Sequence, residues 1–207
     1  MATKNEKVTF DDALQSGSFL EKNKKTFSAL VIAILIIVAG FFCYQEFVNG
    51  PRQQKASTAL ARGQEYFQAE QFDKALNGDG AGYAGFVKIA SDYSSTDAGN
   101  LANLYIALCY AHQAKPNWAK ALEYAEKYKT SDDEMISPAS QMALGDIYAN
   151  NNQNDKAVDC FKKAADMANK EAADNINLSI APLALKKAGI LLESEGKKAE
   201  ALEIYKN

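Results

Sequence analysis

Eighteen consecutive residues without a charge, Phe27 to Tyr44 (FSALVIAILIIVAGFFCY), constrain this chain more than any other feature. With Gln45 to Val48 the segment reaches 22 residues. A helix of that length, rising about 1.5 Å per residue, covers roughly 33 Å, enough to cross a hydrocarbon core. A secretory signal peptide has a shorter apolar stretch, about 7–15 residues, followed by a small-x-small cleavage site. Here bulky Phe41, Phe42 and Tyr44 come instead, and Ala59-Leu60-Ala61, which has the cleavage spacing, lies well past the run inside a helical pattern. Lipoprotein processing at Cys43 would need a small residue before the cysteine, and Phe42 is large. A buried core helix would need enough protein to cover an all-round apolar surface, and the rest of the chain shows no such plan. Residues 27–48 therefore read as a signal anchor that stays in the membrane.

Lys22, Lys24 and Lys25 precede the uncharged run, whereas on its other side Glu46 comes first, ahead of Arg52 and Lys55. The positive-inside rule then places residues 1–26 in the cytoplasm and residues 49–207 across the inner membrane, in the periplasm of a bacterium. Phe41, Phe42, Tyr44 and Phe47 supply the aromatic belt on that far side. The small residues Ala29, Ala33, Gly40 and Cys43 contrast with the surrounding Leu and Ile and mark where a second membrane helix can pack closely.

The chain carries 23 bases and 26 acids. Residues 1–25 hold five of the bases and four of the acids, so the remainder is mildly acidic and has no basic stripe for a nucleic acid. Three cysteines do not make a disulfide framework. Cys43 lies in the span, and Cys109 and Cys160 fall on apolar helical faces, where a free cysteine acts as a small hydrophobe. A Cys109–Cys160 bond is the alternative in an oxidising compartment. His112 is the only histidine. No G-x-S-x-G, H-E-x-x-H or P-loop is present. The expectation is a chain that is not an enzyme, with no cofactor, metal or small-molecule substrate.

The outer part shows no strand-like alternation but helical spacing throughout, so internal repeats are the next question. One frame is clear: Leu144-Gly145, then Tyr148, an Asn-rich turn, Ala157, Phe161 and Ala164. It resembles the tetratricopeptide repeat (TPR), whose signature is Leu-Gly-x-x-Tyr, then Ala, then Phe. Small Gly145 and Ala157 let two helices approach, while Leu144, Tyr148 and Phe161 fill the space between them. The frame recurs around Gly189, Leu192, Gly196, Ala201, Leu202 and Tyr205, and around Gly63, Tyr66, Phe72 and Ala75. A fourth copy holds Ala107, Tyr110, Trp118, Ala121 and Leu122. The glycine-equivalent positions 63, 107, 145 and 189 step by 44, 38 and 44, longer than the family's roughly 34. Repeat cores are expected near 56–93, 101–128, 139–168 and 181–207. The first is interrupted after Leu76 by Asn77-Gly-Asp-Gly-Ala-Gly82, with Asp79 as a cap and helix resuming near Tyr83. A calcium loop would need more than that one carboxylate. The fold expected is all-α: one transmembrane helix, then a TPR-like α-solenoid.

A more specific resemblance rests on Ser18-Phe-Leu-Glu-Lys-Asn-Lys-Lys25, Ala75-Leu-Asn-Gly-Asp-Gly80, Gly85-Phe86, Ala98-Gly-Asn-Leu-Ala102, Cys109-Tyr110 and Gly145-Asp146. The chain resembles single-pass tetratricopeptide proteins of the Bacteroidota and is similar in layout to YfgM-like ancillary subunits of the Sec translocon. That resemblance implies a chaperone-like role beside the SecYEG channel, with a PpiD-like membrane-anchored isomerase and unfolded secretory clients as partners.

Stacked helix pairs build a concave surface lined by the first helix of each pair. Its lining is expected from Leu104, Leu108, Ala111 and His112, from Met142, Asp146, Ala149 and Asn150, and from Leu183, Lys186, Ile190 and Glu193. Core packing is the alternative for Leu104, Leu108 and Met142. An apolar lining suits a partner helix or an unfolded segment. A structural adaptor for envelope assembly, in cell division or outer-membrane secretion, is the alternative role. A third reading, an adaptor on a eukaryotic organelle membrane, would make Asn177-Leu-Ser179 a glycosylation sequon.

Overall fold

The computed structural model describes residues 24–131 and 133–206. Residues 1–23, Asp132 and Asn207 lie outside the described residues, and with them Lys22 and most of the Ser18–Lys25 stretch. The chain divides into two compact units, up to Pro51 and from Arg52 onward.

The first unit is the helix α1, Lys24–Tyr44, followed by a π-helical stretch, Gln45–Asn49. A helix satisfies its backbone polar groups internally, which an apolar solvent demands. Leu30, Ile36, Ile37 and Phe42 are all exposed. This is the one helix among the described residues long and apolar enough to cross a membrane.

From Gly50 onward the described residues form helices and turns with no strand. The helices are α2 (Gly50–Gln68), α3 (Phe72–Asn77), α4 (Phe86–Asp92), α5 (Asp97–His112) and α6 (Trp118–Ala125). Then come α7 (Ile136–Asn150), α8 (Asn154–Glu171), a 3-10 turn at Ala173–Asn175, α9 (Ile180–Ser194) and α10 (Lys198–Ile204). Consecutive helices from α4 to α10 pack mainly on one another: α5 on α6, α7 on α8, α8 on α9, α9 on α10.

Local chemistry sets where the helices begin. Thr96 and Asn117 cap α5 and α6, their side chains accepting from Gly99 N and Lys120 N. Asp133 and Asn177 do the same further out. Asp133 Oδ1 accepts from the backbone N–H of Met135, Ile136 and Ser137, and Asn177 Oδ1 from those of Ser179, Ile180 and Ala181. Both satisfy the orphan donors of a helix start. Pro138 and Pro182 sit in the first turns of α7 and α9, where a missing N–H costs little.

The core follows this order. Leu60, Leu76, Tyr83, Phe86, Ile89 and Ile106 form its first part. Ala107, Ala121, Ala125 and Ile147 join α5–α6 to α7. Tyr148, Val158, Phe161, Leu192, Ala201 and Ile204 close the last two hairpins.

The insertion after α3 departs from expectation. Helix resumes at Phe86, not at Tyr83. Tyr83 instead buries its ring in the loop and donates its hydroxyl to Ala75 O at 2.9 Å. Asp79 is a tie between elements rather than a helix cap. Its carboxylate accepts from Arg62 (2.6 Å), Tyr66 Oη (2.8 Å) and the backbone N–H of Ala81 and Tyr83. The N–H of Tyr83, the Tyr66 hydroxyl and the N–H of Ala81, with the Arg62 charge beside them, hold this carboxyl well below the usual carboxylate range.

Candidate functional site

The repeat-signature residues meet in space. A Cβ added at Gly145 would stand 2.6 Å from the Phe161 ring, and one at Gly189 would run into the Tyr205 ring. Only a glycine admits those rings, and both glycine–ring pairs are sixteen positions apart. In the first copy that sixteenth position is Asp79. There the rings of Tyr83 and Phe86, supplied from beyond the insertion, close on Gly63. Ala107, Ala121 and Ala125 are buried together, with Tyr110 packed on Tyr124 at 6.1 Å between ring centres. Tyr66 is half-buried, while Tyr148, Ala75, Ala157 and Ala201 are buried. The Tyr148 hydroxyl donates to Glu126 at 2.6 Å.

The predicted binding face divides helix by helix. On α5, Leu104 is buried and belongs to the core, which corrects its placement as surface. A helical period cannot tell a face packed on the next helix from one that stays open. Leu108 and Ala111 are half-buried, and exposed His112 lies stacked on Phe72 and edge-on to Phe67. On α7, Met142 is half-buried against the cores of the last two hairpins. Asp146 pairs with Lys187 of α9 at 2.7 Å, Ala149 is half-buried, and Asn150 donates to Asp146 O. On α9 the stripe is open: Leu183 is 47% exposed and Ile190 51%, with Lys186 and Glu193 exposed between and beyond them.

Sequence reasoning missed a cleft beside this stripe. It has a volume of about 490 Å³. Its apolar walls are Ile176, Leu178, Pro182, Leu185, Ile204 and Tyr205, with Lys186 and the side chains of Asn169, Asn175 and Asn177 around them. Asn169 Oδ1 holds the backbone N–H of Asn177 at 2.9 Å, which fixes the loop that carries Ile176 and Leu178. The signal was two isolated apolar residues in Asn-Ile-Asn-Leu-Ser, too short a pattern to register as a face.

Cys109 and Cys160 are both free, Cys109 buried and Cys160 half-buried. Burial pushes the Cys109 thiol up to about 12, so it stays protonated and packs as a hydrophobe. In α1, Ala29, Ala33, Gly40 and Cys43 are exposed, and a Cβ at Gly40 would meet nothing within 4 Å. Among the described residues no group of three His, Cys, Asp or Glu side chains is placed to hold a metal. No family model matches this chain, and no curated protein matches it as a relative.

Proposed function

We propose that this chain is a membrane-anchored, TPR-like scaffold that binds other proteins, with α1 as its single span, the N-terminus in the cytoplasm and the helical unit in the periplasm. The observation that carries the reading is the recurrence of one packing device: a glycine on one helix receiving a ring from the next, at Gly145–Phe161 and again at Gly189–Tyr205. Such hairpins stack through nearest neighbours and leave first-helix faces for partners. The Leu183–Ile190 stripe and the adjoining cleft supply apolar surface of the kind that takes a partner helix or an extended segment. The partners proposed are the SecYEG channel, a PpiD-like anchored isomerase and emerging secretory chains, on the strength of the layout.

The test is a gentle-detergent pull-down through a tag on the chain, with cross-linking and mass spectrometry. SecY, SecE and an anchored isomerase leading the recovered proteins is the expected result. Septal or outer-membrane assembly components in their place would replace this reading by that of an envelope-assembly adaptor.

A further inference from the structure

The last two hairpins repeat each other at a fixed offset. Helices α7 and α9 begin at Ile136 and Ile180, and α8 and α10 at Asn154 and Lys198, forty-four positions apart in each case. The caps keep that register. Asp133 and Asn177 each accept from the backbone N–H groups two, three and four residues on. Residues of one hairpin therefore have counterparts in the other.

The first of these two hairpins has its far face covered. Helix α9 lies on α8 and α7. Its Ala181 and Ala184 pack against Ala164, Ala165 and Ala168. Its Lys187 pairs with Asp146 at 2.7 Å and stands over the Phe161 ring, while Val158 packs with Ala188 and Leu192. Helix α7 covers α6 and α5 in the same way, closing Ile147 on Ala107, Ala121 and Ala125. The counterparts on the last hairpin are bare. Val158 is 4% exposed and its counterpart Leu202 55%; Phe161 is 2% exposed and Tyr205 44%. Lys186 and Ile190, the counterparts of Met142 and Asp146, are exposed as well. A helix interface made twice is thus presented a third time, with nothing among the described residues seated on it.

We infer that this face takes one helix of a partner protein, seated on α9 and α10 as α9 sits on α7 and α8. The face specifies the chemistry of that helix. Close approach calls for small side chains three and four residues apart, as at Ala181, Ala184 and Ala188. Ile190 stands where Asp146 does, so the partner residue in the place of Lys187 is apolar. Lys186 stands where Met142 does, so an acid belongs beside it. A second copy of this chain fits less well. Its α2 carries no large exposed apolar side chain to set against the face, and face-to-face pairing would bring two Lys186 side chains onto one apolar surface. The inference rests on the scaffold reading and names the kind of segment that one of its surfaces takes.

In the test, a photoreactive benzoyl-phenylalanine is introduced into the full chain at position 190, 202 or 183, in the cells the protein comes from. The captured segments are read by mass spectrometry. Position 183 is the control, because Ala139, the counterpart of Leu183, stays exposed beside α9. Positions 190 and 202 are expected to capture one and the same segment, with small residues three and four apart and an acid among them, and position 183 not to capture it. Leu202→Glu should lower capture from position 190 at least fivefold and Leu183→Glu less than twofold, with circular dichroism confirming retained helix in both. Capture of another copy of the chain, of many unrelated segments, or of nothing at positions 190 and 202 would overturn the inference, as would capture indifferent to Leu202→Glu. The scaffold reading stands or falls separately, on whether the gentle-detergent pull-down recovers partners at all.

Discussion

The contact between Gly145 and Phe161 shows how little room the hairpin leaves. Carbon atoms pack at about 3.5–4.0 Å, and a methyl at position 145 would sit 2.6 Å from the ring. Gly145→Ala is therefore expected to cost about 1–3 kcal/mol through overpacking, outweighing the better helix propensity of alanine. Phe161→Leu alone loses contacts and opens space in a buried site. In combination the smaller side chain makes room for the methyl, so the double variant should be more stable than the sum of the two single changes predicts. Urea unfolding followed by circular dichroism measures the cycle. Additive changes would show that the ring does not set the spacing. The same argument reaches Gly189 and Tyr205, but there the ring is more exposed and has freedom to swing aside, so Gly189→Ala should cost less.

At the scale of an element, α7 depends on Asp133. Partial burial pushes this carboxyl up, but hydrogen bonds from Ser137, Ser131 and Ile136 outweigh that and hold it down at about 2. A depressed carboxyl contributes stability that is fully present above its ordinary value near 4, and that contribution is lost as the pH falls through about 2. Asp133→Ala should cost roughly 0.5–2 kcal/mol at neutral pH. It should also flatten the part of the thermal-melt profile between about pH 4 and pH 2 that this group supplies. Melts of both proteins from pH 2 to pH 7 check the point; parallel curves would assign the acid sensitivity to other carboxylates. This cap was not legible in the sequence, because Asp133 stands three residues ahead of the first helical residue, Ile136, and Glu134 and Met135 intervene. The helices themselves were legible, since apolar spacing and the Gly145 frame carry the packing directly. Two things were hidden by the insertion at Asn77–Gly82. The rings that close on Gly63 come from Tyr83 and Phe86 rather than the frame position, and Asp79 ties α2 to the loop rather than capping a helix. Leu104 was misplaced for a different reason. The first helix of a pair touches the next pair as well as its own partner, so the face it leaves open is narrower than its apolar pattern suggests.

At the scale of the molecule, the proposed scaffold role rests on two separate surfaces, the open stripe of α9 and the small residues of α1, and they can be tested apart. Leu183 and Ile190 are about half exposed, so replacing both by Glu should change stability by little, within about 0.5 kcal/mol each. It would nevertheless place two charges on the open stripe of α9. If that stripe is the binding face, cross-links from the helical unit to its partners should fall severalfold while recovery through the membrane helix persists. Gly40→Ile makes the complementary change. The space beside Gly40 is empty in the chain by itself, so the variant should insert and fold as the parent does. A partner helix packed against Ala33, Gly40 and Cys43 would be forced away by the larger side chain, because close approach there depends on small residues. Co-purification in gentle detergent should then weaken for membrane partners, with the α9 cross-links retained. Loss in one variant but not the other assigns the contact to that surface. A complex that withstands both changes is held by neither, and the cleft walled by Ile176, Leu178 and Tyr205 becomes the surface to alter next.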